Sequence, residues 1–491
     1  MSGPSAWSIK TLRVLPTDFL ATSRRETWPL IRLALPICGA QLAQAGMSVV
    51  DIMMTGRLSA SDLAAVSVGA SLWVPLMLLM TGTLMGLTPI VAQLSGGNRL
   101  DRIRPNVHQA MWVGIAMGLL SALALSLWVD PIFRLMDVPP AVATRASDYV
   151  GAVAFGMPGV AIFMTLRAFS DGLNHTRPSL WISLIGLAVN IPANYLLIYG
   201  GPGIQALLGD ATPAFVLELP ALGAFGCGIA TAFAMWVMAL SMVLYTRKSR
   251  AYRDIDLWHS PAMPSPRVIG ELLYVGVPIG IAIFVEVTLF TLIALFVASL
   301  GEVVVAAHQV ALNYTSLLFM MPLSLGMALT VRVGNTLGRG DARLARLVAW
   351  NGVLIAAAVA LLNDLILWLT ARPVIALYTH DQAVQVLTLS LLGLAMLYQL
   401  SDALQVALAG ALRGYKDTRV IMLFTLLSYW LIGLGGGHWL GEYGLGAWIP
   451  PMGVHGYWIG LVAGLTMAAI LLSARLRQCS NRARQAEGCT T

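Results

Sequence analysis

The chain has 491 residues and a formal net charge of +7, with 58% apolar and only 11% charged residues. Soluble domains carry about 25% charged residues, so this composition excludes an ordinary soluble protein and indicates a membrane protein with many spans. The basic residues lie mainly in short segments between apolar runs, where they mark membrane topology, so we expect no nucleic-acid partner.

The first 28 residues are basic but contain no apolar run that ends in small residues, which predicts that no signal peptide is removed. We therefore expect the first apolar segment to remain in the protein. Four scattered cysteines without a CxxC pair predict neither a disulfide framework nor a metal site. They are Cys38, Cys227, Cys479 and Cys489.

Apolar stretches of about 18 residues or more recur along the chain and predict an all-α integral membrane protein with twelve transmembrane helices. The predicted spans are 29–56, 65–94, 107–130, 149–170, 178–200, 222–246, 269–299, 306–336, 348–370, 383–411, 419–440 and 455–476. The predicted domains are a cytoplasmic extension (1–28), a six-helix bundle (29–246), a cytoplasmic linker (247–268), a second six-helix bundle (269–476) and a cytoplasmic basic tail (477–491).

The basic residues indicate which side of the membrane each loop occupies. Only four of the 30 Lys and Arg lie in odd-numbered loops, and the rest lie in the termini, the linker, and the even-numbered loops or adjoining span ends. On this interpretation Arg413 is one of the basic residues in an even-numbered loop or an adjoining span end. Because positively charged loops stay in the cytoplasm, both termini are predicted to be cytoplasmic.

The two halves of the chain match each other at a constant shift of 242 residues. Matching pairs include Thr88 with Thr330, Gly96 with Gly338, Pro131 with Pro373 and Gly172 with Gly414. Each half holds an even number of spans, so the halves share one orientation and are related by a pseudo-two-fold axis along the membrane normal. This is a transporter architecture, and it predicts a site at the interface between the halves.

Ionisable residues inside the predicted spans are candidates for that site. Glu286 is the only charge between Pro278 and Leu300, where an ionised group costs about 2.5–3.5 kcal/mol. In span ten, Tyr398, Asp402 and Gln405 share one helix face. We expect these carboxylates to bind an ion or relay a proton.

The first span carries Gln41, Gln44, Ser48 and Asp51 on one face, which predicts a wall of a cavity. The stripe could instead hydrogen-bond to a neighbouring helix, and Asp51 could lie near the outer headgroups.

Amide side chains recur at one-turn spacing in spans five and eight. Hydrogen bonds between helices explain such pairs as well as a site does. The predicted lining of a substrate cavity is Asn190, Asn194, Gln44, Gln309, Asn313 and Gln405. The chain has no nucleotide-binding P-loop, no HExxH and no histidine pair at ligand spacing, so we expect a transporter driven by an ion gradient, not an enzyme.

Seven runs carry a family resemblance. They are VDIMMTGRLSASDLAAVSVGASLW (50–73), LTPIVAQLSGGNRLDRI (87–103), IFRLMDV (132–138), NIPANYLLIYG (190–200), FVEVTLF (284–290), VVAAHQVALNYTSL (304–317) and YQLSDALQVALAGALRGYKDTR (398–419). These runs are similar to the multidrug and toxic compound extrusion (MATE) family, in particular its bacterial NorM branch. The resemblance extends from about residue 28 to 476.

The resemblance implies two six-helix bundles around a V-shaped cavity that exchange a cation for a drug by alternating access. The implied substrates are amphipathic cations such as fluoroquinolones and ethidium. With membrane lipid, these are the only partners expected of a monomer in the bacterial inner membrane. The residues that match the family's cation-coupling pattern are Asp51, Glu286, Phe290, Tyr398 and Asp402, and the fifth-span asparagines match Asn190 and Asn194.

No cofactor is expected beyond the coupling ion, Na⁺ or H⁺. Burial favours a protonated carboxylate, whereas a second carboxylate, a tyrosine oxygen and a ring face favour a metal cation. The branch resemblance favours Na⁺, held by Glu286 and Asp402. The alternatives are a flippase of lipid-linked precursors, whose anionic substrates would need cationic cavity residues, and a membrane-embedded enzyme or scaffold. The acidic and amide groups predicted for this cavity disfavour the flippase.

Overall fold

The computed structural model describes residues 17–209, 218–444 and 450–488, and these residues form helices without any strand. The first half of the chain contains eight described helices, α1 to α8. Their bounds are α1 Thr17–Leu58, α2 Ala60–Leu84, α3 Leu87–Gly96, α4 Ile103–Leu135, α5 Pro140–Ala154, α6 Met157–Gly172, α7 Arg177–Leu208 and α8 Gly223–Lys248.

The second half contains seven described α-helices, α9 to α15. Their bounds are α9 Pro266–Ala298, α10 Glu302–Gly338, α11 Ala342–Tyr378, α12 Gln382–Gly414, α13 Thr418–Leu426, α14 Gly437–Glu442 and α15 Val454–Gly488. Residues 1–16 of the predicted extension and Cys489 lie outside the described part of the chain. The other three cysteines are free.

The prediction of twelve spans is confirmed. The described residues contain eleven continuous helical segments that are long and apolar enough to cross a membrane. The twelfth span is the pair α5 and α6, which is bent by 42°. A side chain on Gly156, between the two helices, would come within 2.6 Å of the Met235 sulfur, so glycine allows the close approach of α8 at the bend.

Span eleven contains the irregular backbone that its glycine-rich sequence suggests. Between α13 and α14 the chain forms a π-helix over Leu427–Gly436, and the whole span continues to Glu442. The wider π turn lets α15 approach, because a side chain on Gly464 would come within 2.7 Å of the Ser428 carbonyl oxygen. π-Helical turns are rare and occur frequently near functional sites.

The first helix connects the two halves. It begins at Thr17, well before the predicted start of span one at residue 29, so part of the predicted extension is continuous with the span. Leu30 and Ile37 are fully buried in a cluster with residues of α10, α11, α12 and α15. At the same end of α1, the Arg332 guanidinium donates to the Glu26 carboxylate at 2.6 Å.

The linker is held against the first half by hydrogen bonds. Gln109 on α4 donates to the carbonyl of Met263 at 2.9 Å, and its side-chain oxygen accepts from the Ser265 amide at 2.8 Å. Tyr252 packs against the end of α6, where its hydroxyl lies 2.6 Å from the hydroxyl of Ser170. Burial raises the pKa of Tyr252 to about 12, so the phenol stays neutral. We call this side of the molecule the linker side.

The halves contact each other on the linker side through a pair of glycines related by the repeat. Gly96 at the end of α3 contacts the backbone of Asn335, and Gly338 at the end of α10 contacts the backbone of Gln93. The Gln93 side chain also donates to the carbonyl of Gly414 at 2.8 Å. Any side chain at either glycine would overlap the partner backbone, so the two halves meet closely here.

We predict that Gly410→Ala destabilises the protein by about 1–3 kcal/mol, the usual cost of overpacking. A methyl group at Gly410 on α12 would overlap the backbone of Gly326 on α10. Thermal unfolding of the purified protein in detergent measures the effect.

Gly393→Ala is the matched control on the same helix, because nothing lies within 4 Å of a methyl group at that position. It should leave the unfolding temperature unchanged or raise it, since alanine favours a helix over glycine by about 1 kcal/mol. Equal destabilisation by both substitutions would contradict the packing that the structure shows.

Candidate functional site

A cavity of about 380 Å³ lies between the two halves, as the repeat predicts. Helices α1, α2, α3 and α6 of the first half line it together with α9, α10 and α12 of the second. On the linker side the halves meet at Gly96 and Gly338, so this contact has to open before a ligand can leave the cavity in that direction. Both halves must therefore move relative to each other for the cavity to open there.

The predicted carboxylates Glu286 and Asp402 come together on the wall formed by the second half. Glu286 lines the cavity, and Asp402 is 2% exposed and acts electrostatically on Glu286. The Tyr398 hydroxyl interacts with Asp402 from one helical turn away. Phe290 meets the Tyr398 ring edge to face, with 6.2 Å between the ring centroids.

Several polar atoms around this pair are buried without a hydrogen-bond partner. They include one oxygen of Asp402, the side-chain oxygen of Gln405 and the hydroxyl of Tyr429. Buried acceptors without partners are uncommon in proteins and are costly unless a ligand, an ion or water satisfies them. The sequence did not single out Tyr429, which the π-helix of span eleven positions; the irregular glycine-rich segment was the available signal.

Asp51 belongs to a separate cluster inside the first half. Its carboxylate accepts hydrogen bonds from Asn194 at 2.6 Å, Asn190 at 3.3 Å and Thr231 at 3.0 Å. The aspartate is 6% exposed and both asparagines are fully buried. Asp51 is therefore enclosed by helices of the first half, and its depth in the membrane stays as predicted, within the span or near the outer headgroups.

The two asparagines were predicted to line the substrate cavity, and the structure corrects that prediction. Neither Asn190 nor Asn194 lines the cavity between the halves, because their amide groups point at Asp51. Each asparagine retains a side-chain oxygen without a hydrogen-bond partner.

Of the other predicted amides, Gln44 and Gln405 line the cavity. Gln44 also donates a hydrogen bond to Ser183 on α7 at 3.2 Å. The polar face of the first span therefore lines the cavity and also forms a hydrogen bond to a neighbouring helix. Gln309 and Asn313 were predicted to line the cavity as well, but both are exposed and neither is among its walls. They lie on the part of α10 beyond the cavity.

Three charged residues of the cavity were not among the site residues predicted from the sequence. Arg167 and Asp171, both 3% exposed, lie one turn apart on α6 and form an ion pair at 3.5 Å. Arg167 also donates to Gln41 at 2.9 Å, and Asp171 accepts from Ser179 at 2.9 Å. Arg413 on α12 lines the same cavity. It was assigned to the basic residues of the loops because it lies near the predicted end of a span.

The remaining walls are apolar and adaptable. Five methionines contribute to them, and methionine side chains adjust to ligands of different shape. The five are Met77, Met85, Met164, Met320 and Met327. Glu286, Arg413 and the ion pair of Arg167 and Asp171 lie on these walls, so the cavity can accept an amphipathic ligand that carries charge.

The carboxylate pair can hold either a proton or a monovalent metal ion. Within the described residues, no group of three or more His, Cys, Asp or Glu side chains is placed to hold a metal. Glu286 and Asp402 supply two acidic ligands, and Tyr398 supplies a further oxygen. Oxygen donors of this kind fit a hard cation such as Na⁺, and two adjacent buried carboxylates also fit a shared proton.

The ion pair on α6 makes a prediction about stability. Arg167→Gln leaves Asp171 as a buried charge without its counter-ion, which should destabilise the protein by about 3–5 kcal/mol. The double variant Arg167→Gln/Asp171→Asn should recover part of that loss. Thermal unfolding in detergent checks both.

An exposed ion pair provides the control. Arg267 and Glu271, one turn apart on α9, have side chains 90% and 67% exposed and lie 3.8 Å apart, so Arg267→Gln should cost no more than about 1 kcal/mol. If the two single variants unfold at the same temperature, the Arg167 pair has no special role in stability.

Known proteins are similar to this chain in sequence and in fold. The chain is 44% identical over 460 residues to multidrug resistance protein PmpM of Pseudomonas aeruginosa, covering 94% of this chain and 93% of the relative. It is 41% identical over 456 residues to multidrug resistance protein NorM of Vibrio vulnificus, covering 92% and 95%. The crystal structure of the eukaryotic MATE transporter AtDTX14 superposes with a TM-score of 0.80 at 21% identity, covering 95% of this chain and all of that one.

The family comparison also matches the internal repeat. The family model described as MatE matches residues 36–196 and again residues 278–438, two stretches that begin 242 residues apart. That spacing equals the shift at which the two halves align with each other. With its twelve spans in two related halves around a charged cavity, the chain belongs to the MatE family.

Proposed function

We propose that this protein is a multidrug efflux antiporter, which exports amphipathic cationic drugs and dyes in exchange for inward Na⁺ or H⁺. The observation that carries the proposal is the position of Glu286 beside Asp402, on the wall of a methionine-rich cavity between two repeated halves. The names of the relatives from Pseudomonas aeruginosa and Vibrio vulnificus support it, since both are multidrug resistance proteins.

The coupling rests on mutual exclusion at the two carboxylates. A drug cation is attracted to the cavity while Glu286 and Asp402 are ionised, and a bound Na⁺ or proton removes that attraction. An ion that binds one orientation of the halves more tightly than the other shifts the population between the two orientations. The drug is then released on the side where the ion entered.

The orientation in the membrane follows from the charges. The linker side carries most of the basic residues, so we place it in the cytoplasm together with both termini. The contact between the halves on that side supports our interpretation of this arrangement as a state that faces the outside. The relatives are bacterial, which supports a location in the bacterial inner membrane. We expect the protein to act as a monomer.

A flippase of lipid-linked precursors is the second candidate. Arginines in the cavity favour it, because such lipids carry anionic phosphates and both Arg167 and Arg413 lie on the walls. Asp171 already neutralises Arg167, however, and Glu286 adds a further negative charge. A cavity with this balance of charges disfavours a strongly anionic headgroup.

The proposal predicts ethidium transport by the purified protein in lipid vesicles, driven by an imposed Na⁺ gradient or by a pH gradient. Transport driven by Na⁺ alone would identify a sodium antiporter, and transport driven only by pH a proton antiporter. Glu286→Gln should abolish transport under either gradient, because the side chain loses its charge and keeps its size. Fluorescence of ethidium bound to DNA trapped in the vesicles measures transport.

Glu302→Gln is the matched control, since Glu302 is an exposed glutamate at the start of α10. It should transport ethidium at the wild-type rate. Wild-type transport by Glu286→Gln would remove Glu286 from the mechanism. Absence of ethidium transport by the wild-type protein under both gradients would contradict the proposed function and lead to the lipid flippase as the next hypothesis.

A further inference from the structure

We propose that the cavity is bipolar, and that Arg413 binds an anionic group of the ligand while Glu286 and Asp402 attract its cationic group. Arg413 then determines whether an amphipathic cation that also carries a carboxylate binds more tightly than the same molecule without it. This inference rests on the proposed function and adds a second binding subsite and the residue that sets its specificity.

The balance of charge around the cavity identifies Arg413 as the available cation. Four ionisable residues line the cavity: Arg167, Asp171, Glu286 and Arg413. Arg167 and Asp171 form an ion pair and have further hydrogen bonds to Gln41 and Ser179. Among the described residues no carboxylate lies within 4.0 Å of the Arg413 guanidinium, and its buried Nε has no hydrogen-bond partner.

The direction of α12 points Arg413 into the cavity. The helix runs toward the linker side, and Arg413 lies eleven residues after Asp402, which is about 16 Å along the axis. Helical side chains tilt toward the amino-terminal end of their helix, so the guanidinium of Arg413 is directed back toward Asp402. The two subsites are therefore separated by less than that axial distance.

The separation suits one molecule that carries both charges. Arg413 and Glu286 interact electrostatically but do not form an ion pair, so each keeps the capacity to bind a ligand group. A guanidinium binds a carboxylate with two parallel hydrogen bonds, and such charge-assisted bonds are among the strong ones in proteins. Met320, Met327 and Phe319 line the same cavity and offer an apolar surface for the body of the ligand.

A structural role for Arg413 is the competing explanation. Arg413 and Asp171 line a second void of about 20 Å³, which has room for about one water. In the internal repeat, Asp171 aligns with Arg413. If Arg413 only balances the charge of Asp171, its loss should affect every substrate alike. A ligand-binding role instead predicts an effect that depends on whether the ligand carries a carboxylate.

The test compares norfloxacin, a zwitterion near neutral pH, with its ethyl ester, which keeps the amine but lacks the carboxylate. Their dissociation constants are measured with the purified protein by quenching of tryptophan fluorescence, and ethidium serves as a purely cationic reference. We expect the wild-type protein to bind norfloxacin at least tenfold more tightly than the ester. Arg413→Gln should remove that preference and lower the ratio of norfloxacin to ethidium affinity at least tenfold.

Arg339→Gln, which removes an exposed arginine on the linker side, is the control and should keep the wild-type preference. Equal binding of acid and ester by the wild-type protein would overturn the inference, as would a parallel loss of all three ligands in a folded Arg413→Gln protein. The comparison of norfloxacin with its ester uses only the wild-type protein. It therefore still tests the inference if the Arg413→Gln protein does not fold. Binding is measured without a gradient, so a protein that binds but does not transport would contradict only the proposed function.

Discussion

The free energy of an ionised group inside a membrane protein is the constraint on which this structure depends. Such a group must be paired, hydrogen-bonded or placed where water and ligands reach it. The chain uses each solution in turn: Arg167 and Asp171 are paired, and Asp51 accepts three side-chain hydrogen bonds. Glu286 and Arg413 are neither paired nor hydrogen-bonded in this way, and both face the cavity. A ligand in the cavity can therefore reach both of these groups.

The internal repeat supplies a symmetric scaffold and leaves the chemistry asymmetric. Gly96 and Gly338 are equivalent in the repeat and make equivalent backbone contacts on the linker side. The charged positions do not correspond: the repeat aligns Glu286 with Gln44, and Arg413 with Asp171. Two similar halves can therefore move about a shared axis while each presents different groups to the ligand, which is what exchange of two unlike solutes requires.

Much of the fold was predictable because long apolar runs, basic loops and a constant repeat shift all appear directly in the sequence. Glu286 and Asp402 were predictable for the same reason, as isolated charges within apolar runs. Arg413 was missed because it lies at the end of a predicted span, where arginines normally mark the cytoplasmic surface, whereas helix α12 extends to Gly414. Asn190 was misplaced because helical spacing shows which residues share a face but not which neighbouring helix that face meets.

The central claim is that ion and drug compete for the same carboxylates, and equilibrium binding tests it most directly. Ethidium binding to the purified protein would be measured by fluorescence polarisation over a range of Na⁺ concentrations and, separately, of pH. The account predicts that Na⁺ or protons weaken ethidium binding competitively in the wild-type protein and that Asp402→Asn strongly reduces this competition. Ethidium binding that is independent of both Na⁺ and pH would contradict it, because the drug and the coupling ion would then occupy independent sites.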